Sequence, residues 1–159
     1  MYFLKSLILL FTLCSSSLIG QLSVSNFINE SYDNDISTIK ESLKEKKYEE
    51  KEGKNGKSIT YYDWLNPISV KVGYIFDKEG KQRGRMLLNG KETETESKKA
   101  FEIFKREMIK IYGNDFSEMN MLGATVIQWK NIKDFKILVS RKDDKAALFV
   151  MREKDGNKK

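Results

Sequence analysis

The sequence of 159 residues contains no histidine, a single cysteine and a single proline. Without histidine the chain cannot form a Ser-His-Asp or Cys-His catalytic arrangement, and it lacks the commonest protein ligand of zinc. Because the only cysteine is Cys14, no disulfide bond can form within the chain, and the folded part must depend on core packing. The patterns for dinucleotide, nucleoside triphosphate and EF-hand calcium binding are also absent. We therefore expect no cofactor, no metal and no enzymatic activity.

The first 20 residues predict an export signal. Lys5 supplies a positive charge, residues 7–13 form a short apolar run, and a cleavage region that contains three serines and Gly20 follows. The whole apolar stretch, residues 7–19, is diluted by polar side chains and is shorter than the roughly 20 residues of a membrane-spanning helix. We predict a cleaved signal peptide over residues 1–20 and a mature chain, without a transmembrane span, that is periplasmic or extracellular.

Cys14 supports a second interpretation of the same segment. It would be the acylated first residue of a bacterial lipoprotein, and the serines that follow it fit that pattern. Leu13 directly before it does not fit, because a small residue is usual there. We prefer ordinary cleavage, and keep a lipid-anchored surface protein as the alternative.

The charge of the chain limits its partners. The 29 basic and 23 acidic residues give a formal net charge of +6. Both signs are interleaved, which is typical of a solvated surface rather than of a nucleic-acid-binding stripe, so we expect no nucleic-acid partner. The excess of positive charge is compatible with an envelope protein, a glycan or an anionic lipid surface.

Residues 34–151 carry the periodic patterns of a single α+β domain. We predict a flexible N-terminal arm over residues 21–33 and a charged, disordered tail over residues 152–159. A narrow apolar stripe after Asp35 predicts one helix. A wider apolar stripe that ends at Gly113 predicts a second and longer helix.

Six segments have the alternation, or the β-branched and aromatic content, of strands: 58–64, 68–76, 82–88, 124–129, 135–140 and 146–151. The highly charged residues 44–57 are interpreted as a loop or hairpin tip, and residues 120–122 as a linker. Short turns between successive strands indicate antiparallel hairpins. We predict an antiparallel sheet of five to six strands with two helices packed on one face.

Aromatic and basic residues are interleaved in the first three predicted strands. Tyrosine and tryptophan combine a large apolar area with a polar group and are frequent at binding surfaces. We predict a ligand or partner surface that contains Tyr61, Tyr62, Lys71, Arg83 and Arg85. Adjacent side chains of a strand point to opposite faces, so at least one of the two tyrosines is expected in solvent. The alternative is that these residues form the packed face of the sheet.

The predicted function is a non-enzymatic binding or interaction module of the bacterial envelope or medium. A pair of carboxylates can act in a glycosidase, so a carboxylate-dependent hydrolase is the less favoured alternative. The acids that would serve lie in turns and helix starts, where they have structural roles: Asp77, Glu79, Glu92, Glu94 and Glu96.

Overall fold

The structure, a computed structural model, describes residues 22–153. The predicted signal peptide over residues 1–20, Cys14 within it and residues 154–159 of the predicted tail lie outside the described residues. The described helices are α1 (Val24–Asn29), α2 (Ile36–Ser42) and α3 (Glu94–Tyr112). The described strands are β1 (Tyr48–Gly53), β2 (Gly56–Leu65), β3 (Ile68–Phe76), β4 (Gln82–Asn89), β5 (Phe116–Met121), β6 (Ala124–Trp129), β7 (Phe135–Lys142) and β8 (Lys145–Arg152).

The strands form one antiparallel sheet in the order β1-β2-β3-β4-β8-β7-β6-β5. Each run of four consecutive strands is a meander with short turns, and α3 connects the two meanders. β4 and β8, the last strand of each meander, lie side by side at the centre and pair through residues such as Leu87 and Leu148. β1 and β5 are consequently the two edges of the sheet.

The prediction of five to six strands with two helices packed on one face is wrong, because the described residues form eight strands and three helices. The two strands that the sequence analysis missed are β1, in the predicted charged loop, and β5, whose end was assigned to a linker. Both are edge strands with mostly exposed side chains, so neither needs an apolar alternation. Charged side chains on an edge also discourage pairing with another sheet.

In place of the expected flexible arm over residues 21–33, the structure has α1. Three of its side chains are spaced as one helix face and are buried: Val24, Phe27 and Ile28. Just after the helix, the hydroxyl of Tyr32 donates a hydrogen bond of 3.0 Å to the carbonyl of Val150 in β8. This segment is therefore part of the folded domain.

The core lies on one face of the sheet, where alternate residues of each central strand are buried. The longer predicted helix is present as α3, which packs Phe104 and Met108 into this core and contacts mainly β7 and β8. α3 begins after the N-cap Thr93 and ends at Gly113, whose φ of 73° suits glycine. The buried side chains of all three helices and of this sheet face form a single cluster. None of the three helices is both long and apolar enough to cross a membrane.

Replacing Phe27 by alanine tests whether α1 is integral to the domain. Phe27 is 2% exposed, so Phe27→Ala should lower the free energy of unfolding by about 3–5 kcal/mol through lost burial and a residual cavity. Asn26→Ala, on the exposed side of the same helix, should change it by less than about 0.5 kcal/mol. Urea unfolding of both variants measures the difference, and equal stabilities would show that the segment is an unpacked arm.

Candidate functional site

Two of the five predicted surface residues, Tyr61 and Arg85, lie in the core. Tyr61 is 7% exposed, and its ring stacks on Tyr74 with the centroids 6.4 Å apart. Burial raises the pKa of Tyr61 to about 12. The side chain of Arg85 is completely buried. Arg85 therefore cannot contribute to a surface for a partner, and Tyr61 contributes only where it lines a cleft together with Tyr62 and Lys71.

Arg85 has a structural role instead. Its guanidinium donates hydrogen bonds of 2.7 Å to the carbonyl of Phe27, 2.8 Å to that of Glu30 and 3.1 Å to that of Ser31. It also lies 3.2 Å from the Glu30 carboxylate and 3.8 Å from the centroid of the Tyr32 ring. The last carbonyls of a helix have no partner within the helix, so this arginine caps the end of α1 with a positive charge.

Arg83 is also engaged within the protein. The pairing of β3 with β4 shifts between Ile75 and Phe76, which leaves Arg83 without a direct partner in the ladder. Its Nε lies 2.6 Å from Oδ2 of Asp77. The other oxygen of this carboxylate, Oδ1, accepts two backbone N–H bonds in the β3–β4 turn. Arg83 thus helps to hold this turn.

The remaining two predicted residues, Tyr62 and Lys71, do come together. They are direct cross-strand partners on β2 and β3, and the Lys71 ammonium lies 5.5 Å from the centroid of the Tyr62 ring. Tyr62 is 58% exposed. Both residues lie on the sheet face opposite the core, which we call the open face. Tyr62 and Lys71 are therefore neighbours on one surface, as predicted, but the other residues of that surface differ from the predicted ones.

The strand register defines the residues of the open face, because directly paired residues point to the same side. The central row crosses seven strands from Tyr62 to Met119, through Lys71, Leu88, Ala147, Ser140 and Val126. A parallel row runs from Thr60 through Gly73, Met86, Phe149, Leu138 and Gln128 to Ser117. The two rows place a strip of large apolar side chains along the middle of this face.

These apolar side chains are only partly covered. Met86, Leu88, Leu138 and Phe149 each remain partly exposed and stand outside the single core cluster to which the three helices contribute. Among the described residues, five large apolar or aromatic side chains are the most exposed: Tyr62, Trp64, Met119, Met121 and Leu122. The strand register places all of them except Leu122 on the open face. The open face is therefore apolar at its centre, on β2 and on the edge strand β5, while the edge strand β1 contributes the charged residues Glu49 and Lys51.

A cleft of about 480 Å³ opens at the β2 end of this face and is lined by residues that include Lys47, Glu49, Thr60, Tyr62 and Lys71. Glu49 and Lys71 form an ion pair of 3.4 Å across it. A Cβ at the neighbouring Gly73 would lie 2.6 Å from the terminal methyl of Met86, so a larger residue there would displace the methionine side chain. The glycine allows the methionine side chain to lie over β3.

The acids considered for hydrolysis have structural partners. Asp77 holds its turn, and Glu94 lies in the first turn of α3, where its ion pair with Lys98 keeps the pKa of its carboxyl below the ordinary value. Asp35 caps α2 and accepts the Thr38 N–H at 2.8 Å. Within residues 22–153, no group of three or more acidic, histidine or cysteine side chains is placed to hold a metal ion.

Sequence reasoning missed most of the open face, although a signal for it was present. Met86, Leu87 and Leu88 are consecutive apolar residues in β4, and residues 146–150 of β8 are also apolar. Strands of this composition are apolar on both faces. Two such strands at the centre of a sheet indicate a second apolar face in addition to the core.

Comparison of the chain with protein-family models, with characterised proteins and with solved structures finds no significant match.

Two arginines of β4 provide a test of the roles assigned above. Arg85→Met removes a buried cation and leaves the carbonyls at the end of α1 without donors, so the free energy of unfolding should fall by about 3–5 kcal/mol. Arg83→Met breaks a partly exposed ion pair and should have a much smaller effect. Chemical unfolding of the two variants measures the contrast. If they were equally stable, Arg85 would not hold α1.

Proposed function

We propose that this protein is an exported, non-enzymatic binding module that engages its partner through the open face of the sheet. The observation that carries the proposal is the strip formed by Met86, Leu88, Leu138 and Phe149, which is partly exposed and lies outside the core. An antiparallel sheet with one face in water normally alternates apolar and polar side chains. Large contiguous apolar surfaces on soluble proteins mark sites of interaction.

The composition of the open face also supports binding. Aromatic residues and methionine are enriched in protein interfaces, and the open face has Trp64, Tyr62 and Phe149 together with several methionines. Methionine side chains adapt to the shape of a partner because they are unbranched and flexible. The β1 edge of the sheet is less suited to binding, because this strand is highly charged and would resist the addition of another strand.

The export part of the proposal rests on the sequence of residues 1–20. A binding module without disulfide bonds suits a bacterial periplasm or cell surface, where the domain is held by its core alone. If Cys14 is acylated, the same module is tethered to a membrane and its open face acts on neighbours there.

Site-directed photo-crosslinking in the producing cell tests the binding surface. A photoreactive benzoylphenylalanine at Tyr62 should give covalent adducts of defined mass, because this side chain lies in the proposed interface. The same group at Glu102, on the exposed side of α3, is the control and should give none of these adducts. Identical adducts at both positions, or none at Tyr62, would show that the open face is not the binding surface.

The intact mass and N-terminal residue of the protein, after cell fractionation, test export. We expect a chain that begins at Gln21 in the soluble envelope fraction or the medium, because the signal would be cleaved after Gly20. A chain that begins at an acylated Cys14 in the membrane fraction would establish the lipoprotein alternative. A cytoplasmic chain that retains Met1 would contradict export in either form.

A further inference from the structure

The charges on the open face are strongly one-sided. The strand register places one acidic residue, Glu49, and five lysines on this face. The lysines are Lys51, Lys71, Lys136, Lys142 and Lys145. Glu49 is already paired with Lys71, and Lys145 lies 3.8 Å from Glu92 outside the face. Among the described residues, Lys51, Lys136 and Lys142 have no acidic partner within ion-pair distance. A surface of this kind is complementary to a negatively charged partner.

The positions of the lysines relate them to the apolar strip. Lys71 lies between Tyr62 and Leu88 in the central row, and Lys136 is paired with Met151 near the other end of the strands. Lys142 and Lys145 face each other directly across the β7–β8 hairpin. Like charges in directly opposed positions do not stabilise a sheet, and Asp143 and Asp144 form the turn between these two lysines. The lysines surround an apolar centre, as polar rim residues surround the core of an interface.

The same charges argue against a second copy of this chain as the occupant. A symmetric dimer through the open face would bring the lysines of two copies together, with only Glu49 and its counterpart to offset them. Like-charge contacts across an interface are unfavourable and serve to exclude partners. The occupant must therefore be chemically different from the face itself.

The exposure of the side chains favours a polypeptide over a flat lipid surface. The centre, with Leu88 and Phe149, is only partly exposed, whereas Tyr62 on β2 and Met121 on the edge strand β5 are each 58% exposed. The cleft beside Tyr62 is a recess of about 480 Å³. A flat bilayer would first meet Tyr62 and Met121, while a chain segment can lie along the strip between them and enter the cleft.

We infer that the partner is an acidic polypeptide, in which carboxylates flank apolar side chains that contact the strip of Leu88, Met86 and Phe149. This inference rests on the proposed function, since it specifies the chemistry of the partner that the open face binds. The apolar side chains of the partner cover the strip at the centre of the face. Its carboxylates pair with the surrounding lysines, which sets the orientation and favours encounter at low salt.

A displayed library of random 12-residue peptides, selected on the purified processed protein, tests this chemistry. Peptides enriched on the wild type should contain more aspartate and glutamate beside apolar residues than the unselected library. Their affinity should fall about tenfold or more for the triple variant Lys71→Glu, Lys136→Glu and Lys142→Glu, because attraction becomes repulsion. A matched triple variant away from the face, Lys78→Glu, Lys99→Glu and Lys110→Glu, should change it less than about twofold, although its net charge is the same.

The outcomes separate this inference from the proposed function. If the enriched peptides lacked acidic residues but lost binding when Phe149 was replaced by aspartate, the inference of an acidic partner would be wrong. The open face would still be the binding surface. Peptides that bind equally to wild type, the open-face triple variant and Phe149→Asp would overturn both, as would failure to enrich any peptide. Vesicles of phosphatidylglycerol are the probe for a lipid partner. If they retained the wild type but not the open-face triple variant, the polypeptide inference would be wrong.

Discussion

The buried guanidinium of Arg85 is the interaction on which the arrangement of helices and sheet depends. It lies on a central strand and binds the carbonyls at the end of α1, so it joins the N-terminal segment to the middle of the sheet. Burying a cation costs several kcal/mol unless hydrogen bonds and opposite charge compensate it. Here the compensation comes from three carbonyls, the Glu30 carboxylate and the face of the Tyr32 ring, while Nε of Arg85 is buried without a hydrogen-bond partner. The α1–α2 segment cannot move from the sheet without leaving this charge unpaired.

This attachment has a consequence for the opposite side of the sheet. α1, α2 and α3 all contribute their buried side chains to one cluster with the core face. β4 and β8 nevertheless have apolar residues on both faces, since Leu87 and Leu148 point to the core while Leu88 and Phe149 point away. Folding of the described residues therefore satisfies one apolar face and leaves the other partly exposed. The binding function that we propose follows from this imbalance.

The elements that could be predicted from sequence are those whose side chains are sorted between core and solvent. The alternation of β3 and the apolar stripe of α3 result directly from burial on one side, and the end of α3 at Gly113 results from its backbone conformation. The edge strands β1 and β5 are held mainly by their backbone ladders, so their sequences contain no such sorting. α1 does have buried side chains at i, i+3 and i+4, but six residues are too few for the pattern to stand out from mixed neighbours.

The proposed binding surface was harder to predict because residue type does not determine which face of the sheet a residue occupies. Arg85 is two residues from Leu87 on β4, so both side chains point to the core face and are buried. Lys71 is paired with Leu88, and both side chains lie on the open face. The irregular pairing near Arg83 removes it from the regular alternation. Only the register between strands shows that Tyr62, Lys71 and Leu88 form one continuous row.

The two faces of the sheet also differ in whether their positively charged side chains have partners within the protein. On the core face, Arg85 is buried and each contact to it comes from the protein itself. On the open face, lysines such as Lys136 and Lys142 lie beside apolar side chains and have no acidic partner among the described residues. A charge that only solubilises a surface does not require apolar neighbours, and an apolar strip that only packs does not require charges around it. The partner that we propose would account for their combination on one face, because it supplies both the missing apolar contacts and the missing negative charge.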